Sequence, residues 1–137
     1  RPDADELLRR LDRSTSRLYE SGPASGVLDA TASLRGALVQ VLLEWEHLED
    51  VPEQRVVIET IIDDYVPATI DAYLQVTDRQ HPAAVTQTVD ALGILEEETL
   101  RIHKAVVNDT LRELEDQNRA LRLQFGRLPA PGYDTES

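Results

Sequence analysis

Apolar residues return every three or four positions along most of this chain, the period of an amphipathic helix. No stretch alternates as a half-buried strand does. Four helical runs follow. The first spans 2–20, with Leu7, Leu8, Leu11, Leu18 and Tyr19 as its stripe, interrupted by Ser14, Thr15 and Ser16. Pro2 and the acids Asp3, Asp5 and Glu6 suit a helix start and its positive dipole end. The SGPASG segment at 21–26 reads as a tight turn. The second run, 27–49, carries Leu34, Leu38, Val41 or Leu42, Trp45 and Leu48. Its last turn holds Glu44, Glu46, Glu49 and Asp50, the wrong sign for a helix C-terminus. That costs up to about 1 kcal/mol unless arginines approach from elsewhere. Val51-Pro52 closes it.

The third run, 53–76, has Val57, Ile58, Ile61, Ile62 and Tyr65 in its first half and Ile70, Tyr73 and Leu74 in its second. Pro67 stands between them. It removes the bond to residue 63 and crowds that carbonyl, so a kink or break is expected. The fourth run, 81–126, organises the chain. Pro82 suits a first turn, and Gly126 followed by Pro129 and Pro131 is a stop. A continuous helix of roughly 44 residues would be about 66 Å long. Either one end protrudes and pairs with something, or Gly93 bends it.

Two stripes divide this run. Val85, Val89, Leu92, Leu95, Thr99, Ile102 and Val106 make the first; Val107, Leu111, Leu114, Asn118, Leu121, Phe125 and Leu128 make the second. The offset between them is the drift of a straight helix against a heptad seam. The second stripe reads as a seam with Asn118 at a core position, where a buried amide fixes register and oligomer state. The alternative puts Asn118 at the seam's wet edge. The expected fold is all-α: an antiparallel three- or four-helix bundle with one long C-terminal helix and a Pro-kinked third helix. Residues 1–126 are expected to form a single bundle domain with its core in 27–126, and 127–137 a disordered tail.

Composition narrows the function classes. The chain has 137 residues, 26 carboxylates against 14 Lys and Arg, and a formal charge of −12. Nucleic-acid binding requires a basic face, and none can be assembled. The arginines at 9, 10, 13 and 17 are the only basic cluster, and Asp5 and Glu6 partly cancel it. With no cysteine, disulfides and thiolate zinc sites are excluded. No uninterrupted apolar run approaches the roughly 18 to 20 residues that span a bilayer; the longest, 37–43, is broken by Gln40. Direct membrane insertion by this segment is therefore not expected. The first residue is Arg1 rather than methionine, so an upstream segment is expected to have been removed, and whether it held a signal or membrane anchor stays open.

The segment ETIIDDYVPATIDAYLQV at 59–76 resembles the tyrosine–aliphatic–proline–small–Thr–aliphatic signature of the XpaC-like proteins. That family bears the label 5-bromo-4-chloroindolyl phosphate hydrolysis protein and is related to the TelA tellurite-resistance group. Tyr65, Val66, Pro67, Thr69, Ile70 and Tyr73 stand in the signature's places. Asp64, beside the first tyrosine, departs from it, and the aspartate expected before the closing glycine is missing. The resemblance covers half to two thirds of the chain. It implies a cytoplasmic helical domain, often joined to an upstream membrane segment, and supplies no catalytic residues. The residues themselves support a structural reading of Tyr65, Pro67, Thr69 and Tyr73: an interrupted core helix whose halves pack against the long one.

Candidate chemistry is thin. Glu44 and His47 have the Glu-x-x-His spacing of di-metal bundles, but neither His81 nor His103 has a glutamate three before it. Asp63 and Asp64 could offer a metal only one carboxylate, since adjacent helical residues point about 100° apart. Gly22 to Gly26 lacks the lysine of a phosphate loop. His103, beside Lys104, is a conceivable phosphoacceptor and more simply a half-buried histidine. No catalytic, cofactor or metal site is expected. The expected function is a non-enzymatic cytoplasmic interaction or scaffold domain. It self-associates or docks a protein partner through Leu111, Leu114, Asn118, Leu121 and Phe125. The alternatives are a phosphoester hydrolase, as the family label has it, or a binder of metals or toxic anions.

Overall fold

A computed structural model describes residues 2–126, and among these the chain is all-α, with no strand. Helix α1, Ala4–Glu20, starts where Asp3 accepts a hydrogen bond from the Glu6 amide at 2.8 Å. That bond satisfies one of the amides a helix start leaves open. It ends at Ser21, whose N–H donates to the Leu18 carbonyl, and Gly22 takes φ +69° to turn the chain. The stripe is not interrupted after Leu11 as the polar triplet implied. Thr15 is buried with Leu7, Leu11 and Leu18, and its hydroxyl donates to the Asp12 carbonyl.

Helix α2, Ser25–Leu43, buries Val27, Thr31, Leu34, Leu38 and Val41. It stops six residues earlier than the apolar period implied and continues as a 3-10 turn, Trp45–Leu48. One arginine does approach this end. Arg55 Nη2 donates to the Trp45 carbonyl at 2.8 Å, and the guanidinium lies 4.7 Å from the indole centroid. The 19-residue α2 holds an 18-residue window of mean hydropathy 1.3, long and apolar enough by length and composition to cross a membrane. Counting uninterrupted apolar residues does not reach this length, because Asp29, Arg35 and Gln40 break the run while the window's mean stays apolar. Its buried face packs on α1, as a core helix's does.

Helix α3, Pro52–Thr60, runs into a π turn, Ile61–Tyr65, and then helix α4, Val66–Leu74. The Val66 N–H donates to the Ile61 carbonyl, five residues back. Pro67 has no N–H for the Asp63 carbonyl, and its ring crowds that carbonyl in a regular helix. One wider turn just before the proline accommodates both. The halves bury Ile58, Ile61 and Ile62, then Val66, Ile70 and Tyr73. Helix α5, Pro82–Phe125, is helical without interruption through Gly93.

Two units emerge from the packing: one up to Lys104, the other from Ala105 onward. In the first, α1 lies against α2, α4 and the π turn. Arg35 makes paired bonds to Asp12 (2.8 and 3.2 Å), and Arg10 and Arg17 reach Asp63 (2.9 Å) and Asp71 (2.5 Å). At Gly26 of α2 a Cβ would stand 3.4 Å from Val85 Cγ1, an ordinary contact distance, so α2 and α5 lie side by side there. Among the described residues the buried polar side chains are four threonines, 15, 31, 88 and 99, each bonded to a carbonyl three or four residues back in its own helix. In the second unit the described residues are the remainder of α5. The tail expected at 127–137 and Leu128 lie outside the described residues.

Candidate functional site

The motif residues do different jobs. Tyr73 is 2% exposed, and its hydroxyl accepts from the Ala24 amide (3.1 Å) and donates to the Arg79 carbonyl (2.8 Å). It thereby ties the turn before α2 to the loop before α5. Arg79 reinforces this by donating to the Ser21 carbonyl at 3.1 Å. Tyr65 is 54% exposed, and Thr69 donates to the Tyr65 carbonyl at 2.8 Å across the end of the π turn.

Tyr65 and Tyr73 border a groove of about 760 Å³ between α4 and the first turns of α5. Its lining includes Ala68, Ala72, Ala84 and Ala91, with Asp78 and His81. Little in it waits for a polar ligand. The hydroxyls of Thr69, Thr88 and Tyr73 are engaged within the fold, His81 Nδ1 accepts from the Ala83 amide, and Asp78 accepts from the Gln80 amide.

The candidate metal and phosphotransfer residues are not brought together. Asp63 is paired with Arg10. His47 Nδ1 lies 3.0 Å from Glu44 of its own turn; His47 is exposed and Glu44 half-buried. Among the described residues no three His, Asp or Glu side chains gather as a metal site.

The seam residues, by contrast, share one face. The first stripe of α5 turns inward: Leu92, Thr99, Ile102 and Val106 are buried. From Val107 the apolar residues are exposed: Val107 and Leu121 at 38%, Leu111 at 51%, Phe125 at 57% and Leu114 at 58%, with Asn118 half-buried among them. The spacings 4, 3, 4, 3, 4 through Asn118 are those of alternating core positions of a heptad. Ion pairs occupy the opposite face, Arg112 with Asp109 (2.9 Å) and Arg119 with Asp116 (2.7 Å). Leu123, 82% exposed, lies off the seam. No protein-family model, curated protein or solved structure matches this chain.

Proposed function

We propose that this chain is a helical interaction module whose working surface is the seam from Val107 to Phe125. The observation that carries it is a row of large apolar side chains left in water at strict heptad spacing, while charges pair on the other face. A monomer gains nothing from such a row. Burying a leucine side chain fully is worth about 1.5–3 kcal/mol, and a helical stretch this short gains most of its stability from packing.

On this reading the residues up to Lys104 form an antiparallel bundle, as the short connections between α1 and α2 and between α4 and α5 favour. The likeness to the XpaC-like proteins rests on Tyr65, Pro67, Thr69 and Tyr73, and it agrees with a cytoplasmic domain that works by association. The motif supports structure more readily than hydrolysis: Tyr73 is committed to two backbone groups and the neighbouring Asp63 to Arg10.

The test is a photo-crosslinking residue placed singly along α5 in the native host. Adducts are expected from positions 111 and 121, and not from 112 or 123. Equal yields around the helix, or none from the seam, would refute the reading.

A further inference from the structure

We infer that the seam's occupant is a second copy of this chain, its α5 lying parallel and in register so that the two Asn118 amides meet. This rests on the seam being the working surface and goes further by naming what covers it. Three observations point to self-pairing.

The first is Asn118. It sits in the same heptad place as Leu111 and Phe125, with Leu114 and Leu121 in the other core place. A lone asparagine facing leucine would bury an unpaired amide. Facing its own counterpart, it donates and accepts, and only a parallel, in-register pair brings the two together.

The second is the seam's borders. In a parallel pair Thr110 faces the second copy's residue 115, a glutamate, and Gln117 faces residue 122, an arginine. No like charges meet across either border.

The third is charge. The chain carries −12, which repels a second copy. Residues 107–125 hold four carboxylates and three arginines, a balance of −1. Association through this segment therefore brings together a nearly balanced part of the surface, which repels its own copy little.

The chain has no cysteine, so a single introduced one reports geometry cleanly. Sedimentation equilibrium of the full chain across the micromolar range is expected to show a mass rising to twice 15.4 kDa, and Leu114→Asp to return it to the monomer. Mild oxidation is expected to cross-link Val107→Cys, a core position, and not Leu123→Cys on the outer face. Asn118→Leu is expected to associate more tightly and lose its single two-chain state. Far-UV circular dichroism at matched concentration confirms that each variant is folded.

A wild-type monomer throughout overturns the inference. The crosslinks from 111 and 121 then decide separately whether the seam serves another partner. A dimer in which Val107→Cys fails to cross-link overturns the parallel arrangement, as does an Asn118→Leu dimer unchanged in mass and affinity. A dimer indifferent to Leu114→Asp pairs elsewhere and overturns both.

Discussion

Tyr73 shows what one hydroxyl does in this fold. Its ring continues the apolar stripe of α4, which the helical period made legible. Its oxygen joins Ala24 to Arg79, and no period reports that, because the two loops meet only once the helices have packed. Tyr73→Phe keeps the ring and leaves the buried Ala24 amide and the Arg79 carbonyl without their partner. A loss of about 1–3 kcal/mol is expected in denaturant unfolding. Glu6 makes a different prediction. Hydrogen bonds from Arg9 first, then Arg10, hold its carboxyl below its usual 4.5. A carboxylate whose folded value is depressed stabilises above the unfolded value, and that stability is lost as pH falls through the folded one. Lowering the pH from 7 to about 3 should therefore cost wild type more unfolding free energy than Glu6→Gln. Equal losses would remove Glu6 from the acid response.

At the scale of elements, prolines and glycines did most of the work of placing boundaries. Pro2, Gly22, Pro52, Pro82 and Gly126 each lie within two residues of a helix end. Pro67 was read as a kink or break, and its form is a π turn that buries Ile61 and Ile62; sequence spacing alone does not separate a wide turn from a break. Helix α2 ended early for a related reason: the apolar period persists through the 3-10 turn, so it cannot mark where the hydrogen-bond pattern changes. The groove beside α4 was not legible at all, since alanines make up much of its lining and alanine carries little periodic signal. Gly93 was a candidate bend and is ordinary helix. A Cβ there would meet nothing within 4 Å, and its φ is not positive. Gly93→Ala should therefore stabilise by about 0.5–1 kcal/mol, by removing freedom from the unfolded chain. The check is a higher denaturant midpoint with an unchanged m-value.

For the whole molecule, the division of α5 into two stripes at 106 and 107 is the feature that sequence and structure share most directly. Leu92, Thr99, Ile102 and Val106 of the first stripe are buried, and the large apolar residues of the second are exposed. What covers the second cannot be read from one chain's period, because a heptad seam fits any matching helix. Asn118 and the segment's near-neutral charge favour a second copy. The most direct measurement is amide hydrogen exchange along 107–125 as protein concentration is raised. The account predicts that exchange there slows as concentration rises, and that Leu114→Asp abolishes the slowing while residues up to 104 keep their protection. Exchange across 107–125 that is fast at every concentration, or equally slow in wild type and Leu114→Asp, would contradict it.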